Sequence, residues 1–519
     1  AMMLGITAIG ASGAIGRNFL ASHVSQRFGR DLRLDLYKKI QQFSFANIDQ
    51  FDTASLVTRL TNDVTQVQNF ANGVMRIFVK APLLCIGSLI MATMQNPSLA
   101  IILLMVVPLI SVLIFISMRI GYPFFMKVQQ ALDRVNGVMR EYLSGVRVVK
   151  AFNRFEYETD RFAGANQELA ATSTKAMRVM ACFSPGISLS VNLGIIAVLW
   201  FGGIKVNNGS MHVGQVIAFI SYMTLILFSL TMISFIFNQF VRARASSERI
   251  GEVFSAKNTM MEAAVPLRTT EIKGCVEFDR VDFSYVPGAG EPILKGITFA
   301  AEPGQTIGII GSTGAGKSTL VNLIPRFYDP TSGSVRVGGV NVQDLDIREL
   351  RERIAVVPQK TVLLTGSILD NIRWGRENAS RDQIEQAAAI ARAHDFISSF
   401  PEGYDTLLGQ GGVNLSGGQK QRISIARALV RRPEILILDD SASAVDVVTE
   451  AAIRDGLREY SRDLTCFIIT QRITSVMRTD KILVLDAGVI VGAGKHEELM
   501  KNCTVYQEIF RSQIGKEDS

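Results

Sequence analysis

The segment at residues 98–118 lies almost wholly in the run PSLAIILLMVVPLISVLIFIS (97–117), which carries no charged side chain and is long enough to cross a bilayer as a helix. About 20 consecutive apolar residues leave a helix no face for water. Three further stretches share this character, at 77–94, 179–203 and 213–237, and a shorter, Gly-rich one covers 2–16. Any one of them alone also fits a buried helix of a large soluble core, the Gly-rich one most readily. Together they predict a membrane protein of about five spans. With 519 residues, 48% of them hydrophobic, the chain is also too long for one compact domain, which leaves room for a soluble part.

The net charge of +7 is distributed in a way that argues for membrane topology and against nucleic-acid binding. Residues 17–80 carry nine Lys and Arg and residues 119–178 carry ten, whereas the short turns near Asn96 and Lys205 carry one between them. The basic loops are expected on the cytoplasmic side. Both read as helical, and a hairpin with arms of about 25 to 30 residues would reach roughly 40 Å past the bilayer. Five spans ending in a cytoplasmic domain would put Ala1 outside, so a further N-terminal span is expected beyond the sequence. The five cysteines, Cys85, Cys182, Cys275, Cys466 and Cys503, form no CxxC pair and read as reduced thiols.

From Glu271 the pattern changes to alternating strands, turns and helices, as in an α/β domain. TIGIIGSTGAGKSTLVNLI places Gly311, Ser312, Thr313, Gly314, Ala315, Gly316, Lys317, Ser318 and Thr319 between an apolar strand and an apolar helix. This is a phosphate-binding loop: glycines let backbone N–H groups approach phosphates, Lys317 reaches the β and γ phosphates, and the Ser318 hydroxyl ligates Mg²⁺. Downstream, EILILDD reads as a buried strand ending in carboxylates, with Asp439 placed to hold Mg²⁺ and Asp440 where a carboxylate polarises the attacking water. Taken alone, that segment equally fits an ordinary strand end with two solvated Asp.

Between these motifs lies LSGGQKQRISIARAL, residues 415–429. It resembles the signature of ATP-binding cassette (ABC) transporters, and the resemblance extends over nearly the whole chain. Gln359 in VVPQ is similar to the family's Q-loop, SAVD (Ser443 to Asp446) to its D-loop, and Tyr285 in VDFSY to the aromatic that stacks on adenine. The implied fold is an all-α transmembrane domain of the exporter type, six spans expected and about five present, fused to an α/β P-loop nucleotide-binding domain. Its expected bounds are 1–242 for the membrane domain, 243–270 for a linker and 271–515 for the cassette. The resemblance further implies ATP and Mg as cofactors, with Ser318, Gln359 and Asp439 around the metal. Two cassettes would face head to tail, each ATP held between one chain's phosphate loop and the other's Ser416, Gly417, Gly418 and Gln419, with Asp446 nearby. Coupling helices are expected near Ala46 to Ser55 and Tyr142 to Phe152.

Two positions depart from the family pattern. The catalytic Glu after the Walker B Asp is Asp440, one methylene shorter, and the switch His is Gln471, which cannot hold a proton as His can. Both departures argue against efficient hydrolysis at this chain's own loop, while the intact signature can complete a site on a partner. The pattern resembles the degenerate-site subunit of bacterial heterodimeric multidrug exporters. A third departure is Gln410, where exporters commonly carry Glu before the signature. The implied activity is ATP-driven efflux of hydrophobic or amphipathic compounds by alternating access, from a multi-pass position in the cell membrane with the cassette in the cytosol. The expected partners are a second half-transporter subunit, membrane lipid and a hydrophobic small molecule, with no nucleic acid. Phe219, Tyr222, Met223, Phe228, Met232 and Phe235 either line an adaptable apolar cavity or face lipid and neighbouring helices. Alternative readings are a homodimeric lipid or peptide exporter and an ATP-binding regulator or channel with little hydrolysis. A soluble cassette ATPase acting on nucleic acid leaves the four strong spans without a purpose.

Overall fold

In a computed structural model the chain forms two compact units, Ala1–Gln41 with Thr53–Ala256 and Gln42–Asp52 with Lys257–Ser519. The structure describes residues 2–260, 265–268, 274–286, 291–440, 445–460 and 463–515.

The first unit is helical. Four bodies, Thr53–Gln95, Pro97–Ala151, Phe155–Asn207 and Val213–Ser255, are long and apolar enough to cross a membrane by length and composition, and each contains one of the apolar stretches. The fifth stretch opens the helix Met2–Gln41, which falls outside that group. Asn96 separates the first two bodies. Its backbone is extended, its side chain accepts a hydrogen bond from the Leu99 N–H at 3.3 Å, and Pro97 at the first helical position has no N–H to leave unsatisfied. Lys205 Nζ donates to the same Asn96 oxygen at 3.0 Å, joining the two short turns.

The helices approach closely where side chains are small. At Gly194 an added methyl would lie 2.8 Å from the Met223 Cε, and at Gly202 it would meet Val216. Leu99, Leu103 and Ile110 pack with Phe219, Met223 and Ile226 in the core thus formed. Phe219 and Met223 therefore fill the helix interface rather than line a cavity, while Phe228 and Phe235 are each 51% exposed.

Pro97–Ala151 has 55 residues, about 80 Å of helix at 1.5 Å per residue, against a hydrocarbon core of about 30 Å. The segment Tyr142–Phe152, expected to hold a coupling helix, lies at the end of this continuous helix. The helix runs through Pro108, Pro123, Gly137 and Gly145 and stops at the turn at residues 152–154, where Asn153 has φ 51°. The Val213–Ser255 helix likewise runs through the first part of the segment expected to be linker, 243–270. A buried charge fixes its register there. Asp63, fully buried, accepts from Ser246 Oγ and Arg249 Nε, each at 2.8 Å, and Arg59 pairs with Glu252 at 2.8 Å. Arg59–Asp63 is a π-helical turn, which widens the helix and faces both side chains to the neighbouring rod. Asp63 is the buried member, while Arg249 and Glu252 are 44% and 58% exposed at the side chain, so water reaches the outer half of each pair.

The second unit is α/β. Its central sheet has the strand order 489–494, 481–486, 306–311, 465–469, 435–439, 354–357, parallel except for the edge strand Val489–Gly494. Thr306–Gly311 is almost wholly buried, as expected of a strand covered on both faces. A second, antiparallel sheet has the order 294–301, 276–283, 332–337, 340–341. A helical part containing Arg381–Ile390 and Gly417–Leu429 packs an Ala- and Ile-rich core with strand residues Val357, Leu436 and Cys466 of the central sheet. The short helix Phe45–Gln50, N-capped by Ser44, belongs to this unit and covers the first expected coupling segment in part.

Candidate functional site

Four adjacent parallel strands end at one place, and their order in the sheet explains why motifs far apart in sequence meet there. Cα pairing of Ile469 with both Ile309 and Asp439 sets the C-terminal ends of three strands level, and Gln359 follows the fourth. In open α/β sheets the crevice outside the carboxyl ends of the strands is where ligands bind. Here it holds a cavity of about 290 Å³ lined by Thr313, Gly314, Gly316, Lys317, Ser318, Thr319, Gln359, Asp439, Asp440 and Gln471, together with Ile293, Ile469 and Thr470.

The phosphate loop needs its glycines. A Cβ at Gly311 would run into the backbone carbonyl of Leu485 on the neighbouring strand, and Gly316 has φ 95°, a conformation that L side chains rarely adopt. Ala315 is buried and its N–H donates to the Ser312 carbonyl at 3.2 Å, while Ser312 Oγ donates to Asp486 at 3.4 Å. Lys317 is only 9% exposed, and its Nζ donates to the carbonyls of Gly311 (2.9 Å) and Ser312 (2.7 Å), closing the loop on itself. Burial lowers its ammonium from the ordinary lysine value, opposed by Asp440 and Asp439.

Ser318 Oγ donates to Asp439 Oδ1 at 2.9 Å, and Gln359 Nε2 donates to Asp440 Oδ2 at 3.4 Å. The hydroxyl, the carboxylate and the amide oxygen of Gln359 are the hard oxygen ligands that Mg²⁺ takes. Among the described residues no cluster of three His, Cys, Asp or Glu side chains exists to cage a metal. That fits an ion held by one carboxylate, a hydroxyl, water and substrate phosphates. Asp440 has φ 44°, an uncommon conformation for a non-Gly residue and one that clusters at functional sites. Its N–H donates to the Ile469 carbonyl at 2.9 Å, which pins this turn between two strands.

Desolvation raises both Asp439 and Asp440 above the ordinary carboxylate range. A carboxyl whose folded-state pKa is raised opposes folding when ionised. The penalty is full above the folded-state pKa and is relieved as pH falls through it toward the unfolded value. Asp439→Asn keeps the oxygen that Ser318 bonds and removes the charge. It is therefore expected to raise the melting temperature of the nucleotide-free protein at neutral pH by about 2–4 °C. The gap should close on acidification, and Mg²⁺ should cease to tighten ATP binding in the variant; thermal scans across pH check this.

Tyr285 stands beside the cavity, 42% exposed, with its hydroxyl 3.1 Å from Thr319 Oγ1. Sequence reasoning missed what backs it. Tyr328 meets the Tyr285 ring edge-on, 5.1 Å between centroids at 86°, and its hydroxyl donates to Asp49 at 2.8 Å. Phe45 packs on Phe327 at 4.6 Å, and Asp49 of the same short helix reaches Tyr285 through Tyr328. Arg326, fully buried and bonded to Asp329 at 2.7 Å, fixes the turn that presents both aromatics.

The signature lies elsewhere in this unit. Ser416 caps the helix Gly417–Leu429, its hydroxyl accepting from the Gln419 N–H at 3.3 Å while the Gln419 side chain accepts from the Ser416 N–H at 2.9 Å. Ser416, Gly417, Gly418 and Gln419 do not line the cavity, and neither does Asp446, which accepts from the Thr449 N–H at 2.9 Å. Ser443 and Ala444 of the D-loop lie outside the described residues. Gln410 sits in a short 3₁₀ turn before the signature.

Comparison with known proteins agrees with both halves of this reading. The family described as ABC transporter transmembrane region matches residues 1–230, and the family described as ABC transporter matches residues 294–443. An uncharacterized ABC transporter ATP-binding protein, YfiB of Bacillus subtilis (strain 168), is 42% identical over 518 residues, 100% of this chain and 90% of that protein. A multidrug efflux ATP-binding/permease protein of Mycobacterium bovis (strain BCG / Pasteur 1173P2) is 34% identical over 505 residues, 96% of this chain and 42% of that protein. The structure of a bacterial Atm1-family ABC exporter with ATP bound superposes with a TM-score of 0.80 at 25% identity, covering 96% of this chain and 87% of that one.

Proposed function

The chain belongs to the ABC transporter family as an exporter with an ATP-binding cassette, and from that premise we propose that it is the degenerate-site subunit of a heterodimer. The observation that carries this is the pair Asp440 and Gln471 on the wall of the cavity that holds Lys317, Ser318 and Asp439. The cavity has what binding requires and lacks the two groups that speed hydrolysis. Lys317 and the loop N–H groups hold the β and γ phosphates, Tyr285 takes the adenine face, and Ser318, Gln359 and Asp439 hold Mg²⁺, which neutralises phosphate charge. Asp440 is already hydrogen-bonded to Gln359, and its short side chain stops about 1 Å before a Glu carboxylate would. Misplacement of that size costs roughly 10²-fold in rate.

The signature turn, exposed and away from this cavity, serves the partner's phosphate loop, so turnover runs chiefly at the composite site where a partner supplies Glu and His. Closure of the two cassettes drives alternating access. The helix 45–50 carries the signal out of the base platform, and the substrate is hydrophobic or amphipathic. Absence of Asp, Glu, Lys and Arg from 179–203 and 213–237 supports an uncharged substrate path. The cassette faces the cytosol from the cell membrane, as the basic loops require.

ATPase activity of the purified chain, alone and co-expressed with a second half-transporter bearing both Glu and His, tests this. The expected result is slow turnover alone and turnover about 10²-fold faster in the mixed pair, abolished by replacing the partner's Glu and little changed by Asp440→Ala. Fast turnover from the chain alone that is lost on Asp440→Ala would instead make it a self-sufficient homodimer.

A further inference from the structure

The C-terminal helix Thr504–Gln513 ends on a side chain bonded to the wall of the nucleotide cavity. Gln513 Nε2 donates to the Gln471 carbonyl at 2.7 Å, and Gln513 Oε1 accepts from the Ile473 N–H at 2.8 Å. One carboxamide thus clamps the backbone on both sides of Arg472. The segment it clamps has just left the sheet. The strand Thr465–Ile469 immediately precedes it, and the Thr470 N–H still reaches the Ile309 carbonyl at 3.2 Å. Beyond that point backbone groups must find partners outside the ladder, and the carboxamide of Gln513 supplies one to the part-buried Ile473 N–H and one to the exposed Gln471 carbonyl. The anchor behind it is firm. Tyr506, fully buried, packs with Ile473, Val476 and Leu499, and its hydroxyl is 2.8 Å from His496 Nδ1.

We infer that Gln513 is a positioning residue of the nucleotide site: by clamping the backbone of Gln471 and Ile473 it sets the side chain at 471 toward the terminal phosphate and so governs preference for ATP over ADP. The inference rests on the reading that the Lys317 cavity binds ATP with residue 471 at its γ-phosphate end. Adenine, ribose and the β phosphate are held by other residues, so loosening 471 weakens ATP and spares ADP. The C-terminal helix thereby becomes a handle on the site, since any ligand or subunit that shifts it moves residue 471.

The test is binding of Mg-ATP and Mg-ADP to the full-length chain in detergent, with thermal melting alongside. Loss of two hydrogen bonds in Gln513→Ala should weaken ATP about tenfold and leave ADP within about twofold. Gln513→Glu keeps the acceptor for Ile473 but cannot donate to the Gln471 carbonyl, and should fall on the same side with a smaller loss. Tyr506→Phe removes only the hydroxyl bond to His496 and keeps the buried ring that seats the helix, so it should lower the melting temperature with the ATP-to-ADP ratio intact. An unchanged ratio in Gln513→Ala and Gln513→Glu, with wild-type protein binding ATP and losing it on Lys317→Ala, would overturn the inference alone. Wild-type protein indifferent to Lys317→Ala would overturn the underlying reading and the inference with it.

Discussion

Asp440→Glu combined with Gln471→His is expected to raise turnover at this chain's own phosphate loop by about 10²-fold. The clean measurement uses the mixed pair with the partner's catalytic Glu replaced by Gln, so that only this chain's site turns over. The extra methylene of Glu carries the carboxylate past the Gln359 amide that now holds Asp440 at 3.4 Å. His in place of Gln471 restores a group that both donates a hydrogen bond and carries a proton. Each single change should give less than the pair, because the two groups act on one transition state and their effects couple. No gain from the double change would mean that the slow site is set by something other than these two side chains, and the degenerate-site reading would lose its foundation.

Lys317→Ala carries the second large effect, a loss of ATP affinity of about 10²-fold or more. Hydrogen bonds to charged groups are worth about 1.5–3 kcal/mol each, and on the proposed reading Lys317 would meet two phosphates. The structure adds a second cause. The ammonium also closes the loop through the carbonyls of Gly311 and Ser312, so Ala leaves those acceptors without their donor as well. Equilibrium titration with ATP, with circular dichroism to show an intact fold, checks it; affinity within about threefold of wild type would exclude this cavity as the nucleotide site. A pH series adds a signature. Burial lowers the Lys317 ammonium, so ATP affinity of the wild type should begin to fall at a pH below that expected of an exposed lysine, and the variant should lack that limb.

The spans and the phosphate loop were legible because each is a local pattern. An uncharged run such as 97–117 and a contiguous GSTGAGKS need no tertiary information. Helix ends were less legible. Beyond the apolar stretches the extension of Pro97–Ala151 carries Gly121, Pro123, Gly137 and Gly145 and that of Val213–Ser255 carries Gly251, yet both helices run through them, so the usual stop residues do not mark where either ends. Tyr328 and Gln513 were invisible for another reason. Their roles depend on a hydroxyl meeting Asp49 across 279 positions and an amide meeting backbone 42 positions away, contacts that no spacing rule encodes. The aromatic stretch from Gly194 to Phe235 illustrates the same limit, since composition alone could not separate Phe219 in the helix interface from Phe228 at half exposure.

The self-capped signature turn bears on how fast and how reversibly two subunits close. Ser416 and Gln419 satisfy each other's backbone N–H groups within the lone subunit, so the turn is already in its helical-cap conformation before any partner arrives. Ordering a flexible four-residue loop would consume roughly 1–2 kcal/mol per residue of the association free energy. If the signature completes a partner's site as proposed, that ordering is done in advance: encounter meets a preformed surface, and the lifetime of the closed pair is left to the nucleotide between the cassettes.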